Sequence, residues 1–156
     1  MNKRKTWQEK LNDNKCLPTV IEITEKQSKR WGSGTCAIPS PKEVDEIMRH
    51  IPKGKLITIN NIREIIAERY NATISCPMTT GIFAWISANA AEEMLAEGKK
   101  KITPYWRTLK SKGELNSKYP GGLKHQMELL ESEGHEVYQK GSRFFVMNFE
   151  KHLLKI

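Results

Sequence analysis

Apolar positions along the middle of the chain recur at the spacing of an α-helix. One stripe repeats at intervals of three and four residues, which predicts a single amphipathic helix: Val44, Ile47, Met48 and Ile51. Just before it, Ser40 at the N-cap, Pro41 at the first helical position and Glu43 at the third form the pattern of a capping box. Pro52 and Gly54 end this helix.

Two further helices are predicted after it. LITI at 56–59 is strand-like, and the next helix begins around Thr58 to Asn61. Its predicted buried side consists of Ile62, Ile65, Ile66 and Tyr70. Pro77 opens a third helix that can run to about Ala96, with Gly98 after its C-terminus. This helix is apolar over much of its circumference, which predicts that it is mostly buried: Ile82, Phe83, Trp85, Ile86, Ala88, Met94 and Leu95.

The two ends of the chain complete the predicted fold. A fourth helix spans roughly 123–132, and HEVYQ, a KGS turn and RFFVMNF form a β-hairpin. Trp7 and Leu11 suit a short helix, VIEI at 20–23 a strand, and the Gly-, Ser- and Pro-rich residues 27–41 a loop. We therefore predict an α+β, mainly helical protein, with an N-terminal extension over 1–40 and a winged helix–turn–helix domain over 41–156.

Charge is unevenly distributed along the chain. There are 26 Lys and Arg against 18 Asp and Glu, a net charge of +8. Residues 1–55 carry +5, residues 56–98 carry −3 and residues 99–156 carry +6. This surplus suits a polyanionic partner, because phosphate contacts release counterions. It is equally compatible with a basic protein that binds no nucleic acid.

Several classes of protein are disfavoured. The three cysteines, Cys16, Cys36 and Cys76, form no close pair, which favours a reducing compartment. The charged start MNKRKTWQEK is unlike a signal peptide, and no apolar run has transmembrane length. We expect a cytoplasmic protein without a membrane partner. The cysteines and four histidines lack metal-ligand spacing, so neither a metal nor another cofactor is predicted.

A series of short motifs resembles the DNA-binding half of methylated-DNA–protein-cysteine methyltransferases. IPKGKLITINNI, PYWRTLKSKGELNSKYPGG and LLESEG follow one another in the order of the family's helix–turn–helix, P-C-H-R-V box, Y-x-G-G loop and L-L-x-x-E-G helix. The resemblance covers about residues 41–137. It implies a winged helix–turn–helix fold, double-stranded DNA as the partner and a role in DNA repair.

The resemblance also implies that the reactive centre is altered. The family's alkyl-accepting cysteine falls on Tyr105, its histidine on Trp106 and its arginine on Arg107. The glutamate that orients the histidine falls on Glu133. The loop that closes the alkyl pocket matches a Tyr-Pro-Gly-Gly segment: Tyr119, Pro120, Gly121 and Gly122.

This replacement argues against alkyl transfer. The reaction needs a thiolate activated by a base, whereas an ordinary phenol has a pKa near 10 and an indole accepts no proton. The chain is similar to the non-catalytic alkyltransferase-like branch, whose members bind alkylated guanine. Tyr105 and Trp106 are therefore predicted, with Arg107, to hold a damaged or flipped base by stacking. Core packing of Trp106 is the open alternative.

The remaining predicted DNA contacts lie on the helix–turn–helix and beside the box. The family's helix-turn-helix tyrosine matches Ile59, and its intercalating arginine matches Met78, an apolar wedge. Thr79, Thr80 and Asn89 are the predicted readers of the groove on this helix. Lys110 and Lys112 are predicted phosphate contacts. Ala72 to Ala91 contain no Lys or Arg, which counts against DNA binding by this helix.

Two other function classes remain open. Cys76 precedes Pro77 at a helix N-terminus, where the dipole lowers a thiol's pKa, so a small-molecule-binding protein or enzyme could use it or the remodelled pocket. Packing is the commoner role for a cysteine. The third class is a protein-interaction module that kept the fold and lost both activities. A repair protein as a further partner, the lesion and the oligomeric state are not determined by the sequence.

Overall fold

The computed structural model describes residues 5–14 and 16–154. The chain is an α+β protein in which helices outweigh strands. Its helices are α1 Trp7–Asn12, α2 Glu25–Trp31, α3 Pro41–Arg49, α4 Ile59–Arg69, α5 Pro77–Ala96, α6 Gly122–Ser132 and α7 Phe149–His152. Its strands are β1 Thr19–Glu22, β2 Thr35–Ile38, β3 Ile57–Thr58, β4 Ile74–Ser75, β5 Thr108–Leu109, β6 Val137–Lys140 and β7 Arg143–Val146.

Within the described residues, the strands form three small sheets. β2 lies between β1, which is antiparallel to it, and β4, which is parallel. β3 and β5 pair in parallel, and β6 and β7 form the predicted C-terminal hairpin. The hairpin joins the body because Leu115 N–H donates to the Phe144 carbonyl at 2.9 Å.

Helix α5 lies at the centre of the larger core. It packs against α1, α3 and α4 and against the 3-10 turn Tyr105–Arg107. Small residues on its buried side, including Ala84 and Ala88, allow the close approach of its neighbours. A second cluster under the hairpin contains Leu56, Leu109, Leu115, Leu130 and Val146.

A buried carboxylate connects α3, α5 and the segment before the 3-10 turn. Asp45 is 1% exposed, and its Oδ1 accepts hydrogen bonds from Ser87 Oγ at 2.6 Å and Thr103 Oγ1 at 2.7 Å. Its Oδ2 pairs with Arg49 Nη2 at 2.5 Å. Because a buried charge is tolerated only when paired and hydrogen-bonded, this network fixes where the 3-10 turn begins.

Helix starts follow the predicted chemistry, with one correction. Thr58 caps α4 and forms a capping box with Asn61. Ser40 caps α3 through the Glu43 N–H at 3.2 Å. The second hydrogen bond of the predicted capping box, from the Ser40 N–H to the Glu43 carboxylate, is wrong. The Glu43 carboxylate instead accepts hydrogen bonds from Arg69 and Tyr70.

Three other predictions needed correction. Residues 27–41 are not a loop, since they contain most of α2 and all of β2. The hairpin stops at Val146, and α7 follows it. Helix α5 is less buried than predicted, because Met78, Ile82 and Leu95 are 67%, 46% and 47% exposed. No helix in the described part of the chain is long and apolar enough to cross a membrane.

Candidate functional site

The residues that the resemblance aligns with the family's reactive centre lie inside the protein. Tyr105 is fully buried and donates its hydroxyl to Glu92 Oε1 at 2.6 Å. Its ring makes edge-to-face contacts with Trp106 at 5.3 Å and Tyr119 at 5.4 Å between ring centroids. Burial, reinforced by the Glu92 hydrogen bond, raises the pKa of Tyr105 far above its usual value. The phenol is therefore a neutral hydrogen-bond donor within the core.

Arg107 is committed to a buried ion pair. Its Nε and Nη2 donate to the Glu133 carboxylate at 2.9 and 2.6 Å, and its Nη1 donates to the Ile51 carbonyl at 2.7 Å. The two side chains are 13% and 6% exposed. Burial alone would raise the pKa of Glu133, but the Arg107 hydrogen bonds and charge lower it below its usual value. Glu133 is thus a carboxylate anion paired with Arg107.

Trp106 is half-buried between the two cores. Its ring packs against both apolar clusters, with the Arg107 guanidinium 5.5 Å from the ring centroid. Its buried indole N–H makes no hydrogen bond of ordinary geometry within the described structure. The N–H nevertheless lies close enough to the Glu133 carboxylate to help lower the pKa of Glu133. These contacts match the core alternative for Trp106, whereas its predicted role in stacking on a base remains a prediction.

The loop that follows borders the same core. Tyr119 is 2% exposed and donates its hydroxyl to the Thr108 carbonyl at 3.2 Å. Gly121 (φ +84°) and Gly122 (φ +74°) both have left-handed backbone, and α6 begins at Gly122. A Cβ on Gly121 would lie 2.6 Å from His125 Cβ, so glycine is required there for space as well as conformation.

An open groove lies outside this buried cluster, between α4, α5 and the segment 110–118. Its volume is about 640 Å³. One wall comes from the exposed side of α5 and the start of α4 and is mainly apolar: Ile59, Pro77, Met78, Gly81, Ile82 and Trp85. The opposite wall is polar and basic, and Arg63 and Asn60 add polar groups from α4: Lys110, Ser111, Asn116, Ser117 and Lys118.

The groove brings together only part of the predicted site. Met78, Ile59 and Lys110 line it, whereas Tyr105, Trp106 and Arg107 do not. Thr80 is fully buried and donates to the Cys76 carbonyl at 2.8 Å, and Thr79 donates to Cys76 Sγ at 2.9 Å. Thr79 and Thr80 are therefore engaged in the first turn of α5.

Sequence reasoning did not identify several groove residues. Trp85 and Ile82 were assigned to a buried helix, although Met78, Ile82 and Trp85 follow at spacings of four and three, which places them on one face. Lys118 lines the groove in addition to Lys110. The groove thus has a cationic wall even though α5 itself supplies no cation. Lys112 is exposed at φ +64° and does not line the groove.

Cys76 lies beside another thiol. It is half-buried at the N-cap of α5, close to buried Cys36, whose pKa is raised chiefly by burial and then by the Cys76 charge. Two histidines have other partners: His125 pairs with Glu92 at 3.4 Å, and His135 packs on His152. Among the described residues, no group of three or more His, Cys, Asp or Glu could hold a metal ion. A reactive Cys76 remains a prediction.

Comparison with known proteins identifies the fold. No protein-family model and no curated protein sequence matches this chain. Among solved structures, it is similar to S. pombe Atl1 in complex with damaged DNA containing O6-carboxymethylguanine, at 21% identity and a TM-score of 0.52. A second match is S. pombe ATL in complex with DNA, at 21% identity and a TM-score of 0.54. Each alignment covers 74% of this chain and 94% of the other. The chain thus shares the fold of these alkyltransferase-like proteins.

Proposed function

We propose that the protein binds double-stranded DNA through the groove and recognises damaged or flipped bases without transferring an alkyl group. In this proposal α4 and α5 are the helix–turn–helix, and the β6–β7 hairpin is the wing. The observation that carries the proposal is the pairing of an apolar helix face with a basic wall in one open groove. The likeness to two proteins crystallised with DNA supports the same partner.

The two walls suit different parts of a nucleic acid. Met78 is 67% exposed on the apolar wall, and its flexible side chain suits insertion into a base stack. Lys110 and Lys118 on the other wall, with Arg63 of α4, suit phosphates. Trp85 offers an aromatic face at the edge of the groove, and stacking on one base is worth about 1–3 kcal/mol. This division of roles explains how an α5 without cations can belong to a DNA-binding surface.

The chemistry at Tyr105 supports binding without transfer. A nucleophile must be deprotonated and must reach its substrate, whereas the Tyr105 hydroxyl is buried and donates to Glu92. Trp106 stands where the family has its base, and Glu133, which matches the orienting carboxylate, is neutralised by Arg107. A base in the groove would contact neither group directly. Recognition then depends on the groove walls, with the aromatic cluster of Tyr105, Trp106 and Tyr119 as their support.

Fluorescence anisotropy on two matched duplexes tests the proposal. One duplex carries guanine and the other O6-methylguanine, each at low and at near-physiological salt. We expect tighter binding to the modified duplex at both salt concentrations, with no methyl group on the protein by mass spectrometry. Equal affinities for the two duplexes that weaken as the salt concentration rises would indicate a general basic surface. Absence of binding to either duplex would refute a DNA-binding function.

A further inference from the structure

Helix α1 is anchored to α5 by a charged cap. The Glu93 carboxylate accepts the backbone N–H groups of Trp7 at 3.2 Å and Gln8 at 3.1 Å, and the Gln8 side-chain amide at 2.9 Å. Gln8 also donates to Glu97 at 3.0 Å. Burial alone would raise the pKa of Glu93, but the hydrogen bonds from Gln8 and Trp7 lower it below its usual value. The cap is thus a carboxylate anion at the positive end of α1.

The same helix contacts a wall of the groove. The Trp7 ring lies edge-to-face against Trp85, with 4.7 Å between ring centroids and an interplanar angle of 83°. Trp85 lines the groove, and its indole N–H donates to the Lys118 carbonyl at 3.1 Å. Lys118 belongs to the opposite, basic wall. One indole therefore contacts α1 on one side and connects the two walls of the groove on the other.

The segment held by Trp85 is itself organised by local hydrogen bonds. Lys118 N–H donates to Asn116 Oδ1 at 2.9 Å, and Tyr119 N–H donates to the Asn116 carbonyl at 3.2 Å. Asn116 N–H donates to Gln126 Oε1 at 2.8 Å. These amides report on the order of the basic wall. If Trp85 turned away from Lys118, the wall would lose its connection to α5 and these amides would exchange faster.

We propose that α1 is a positioning element for the groove. Trp7 holds Trp85 in the orientation that keeps the Lys118 carbonyl bound, so that the groove is closed at this end and shaped in advance for a base. A pre-shaped wall binds more tightly because less conformational freedom is lost on binding. This inference rests on the proposed function, which it deepens by assigning residues 7–12 a role in base selectivity.

Hydrogen exchange of the full chain tests the structural link without DNA. We expect Trp7→Ala to speed exchange of the 116–119 amides, and Trp7→Phe, which keeps an aromatic edge, to restore protection. Trp85→Phe keeps the ring but loses the bond to Lys118, so it should reproduce the Trp7→Ala result. Gln8→Ala is the matched control, because it removes contacts to Glu93 and Glu97 and leaves Trp7 in place. Unchanged exchange at 116–119 in both Trp7→Ala and Trp85→Phe, or equal effects of Gln8→Ala and Trp7→Ala, would overturn the inference.

Affinity for the two duplexes tests the functional consequence. Trp7→Ala should weaken binding of the O6-methylguanine duplex by about 3- to 10-fold, as expected for the loss of one aromatic pair. Binding of the guanine duplex and its salt slope should change little, because the cations remain. Equal loss on both duplexes would mean that α1 contributes only to general stability. If wild type bound neither duplex, the proposed function would fail, whereas the exchange data would still decide whether α1 positions the groove wall.

Discussion

At the scale of single residues, Arg107 of the 3-10 turn and Glu133 form a buried ion pair. Glu133 forms a two-pronged ion pair with Arg107, and Arg107 also holds the Ile51 carbonyl. Both side chains are largely buried. The pair therefore stabilises the turn that carries Tyr105 and Trp106. A direct role for Arg107 in reading a lesion stays a prediction, and any loss of selectivity must first be separated from loss of folding.

Replacing Arg107 with Ala should be strongly destabilising. The substitution leaves the Glu133 charge buried without its partner, which costs about 3–5 kcal/mol. Urea denaturation followed by tryptophan fluorescence measures the change in the free energy of unfolding. Arg143→Ala is a control that removes another arginine from an ion pair, because Arg143 is 59% exposed and its partner Glu114 keeps Lys110 at 3.8 Å. An Arg107→Ala protein as stable as wild type would contradict a structural role for the pair.

His135 makes stability sensitive to mild acid. It is 4% exposed and has an edge-to-face contact with His152. Burial first, and then the charges of His152 and Arg107, lower the pKa of His135 below its ordinary value of 6.5, while Glu133 opposes them. The folded state thus prefers the neutral ring. The contribution of neutral His135 to the free energy of unfolding is fully present above pH 6.5, the pKa of the unfolded state. It is lost as the pH falls through the lower pKa that His135 has in the folded state.

We therefore expect the urea concentration at the unfolding midpoint to decrease as the pH is lowered from about 7.5 to 5.5, a range above that in which the carboxylates titrate. His135→Phe keeps an aromatic ring beside His152 and removes the titrating group, so it should flatten this change. A midpoint that depends on pH equally in wild type and His135→Phe would assign the effect to another group. Below this range, Glu133 and Glu114, whose pKa values are lowered by their arginine partners, should cause a further loss as they are protonated.

At the scale of elements, the predicted helices with strong local signals are present where the sequence placed them. Ser40 and Pro41 start α3, Thr58 starts α4 and Pro77 starts α5, because caps and prolines act within one turn. Strand β2 was missed for the opposite reason. It is four residues long, and its order comes from pairing with β1 and with distant β4, which no local pattern reveals.

The start of α6 offers a test of local backbone geometry. Gly121 and Gly134 both have left-handed backbone, but only a Cβ at Gly121 meets a neighbour, at 2.6 Å from His125 Cβ. Gly134→Ala should cost about 1–2 kcal/mol for the conformation alone. Gly121→Ala carries the same penalty and the clash, so its loss should be clearly larger. Thermal unfolding of the two variants measures the difference, and equal losses would mean that His125 moves away freely.

The cations of the basic wall make a separate prediction about DNA. Lys110 and Lys118 line the groove from one segment, whereas Lys26 lies on α2. Lys110→Ala and Lys118→Ala should each weaken both duplexes similarly and lower the slope of log affinity against log salt by about 0.9. Lys26→Ala is the control of equal charge change. Identical slopes for all three variants would mean that binding responds to net charge and not to this wall.

At the scale of the whole molecule, motif order predicted the fold better than it predicted the site. An alignment assigns Tyr105 to the position of a nucleophile but does not show that its ring is turned into the core beside Tyr119. Helix α5 is apolar over much of its circumference, so periodicity alone could not separate Trp85 on the groove from Ala88 in the core. The contact between Trp7 and Trp85 joins residues far apart in the sequence, so no local pattern predicts where the N-terminal segment packs.

The groove as the DNA-binding surface is the central claim, and two substitutions on one helix test it most directly. Met78 and Leu95 are both exposed on α5, but only Met78 lines the groove. Met78→Glu and Leu95→Glu change the net charge equally. A difference in their affinity for the O6-methylguanine duplex, measured by fluorescence anisotropy, therefore reports the location of the added charge. We predict that Met78→Glu weakens binding by about tenfold or more, while Leu95→Glu stays within about twofold of wild type. Equal affinities of the two variants would contradict the groove as the binding surface.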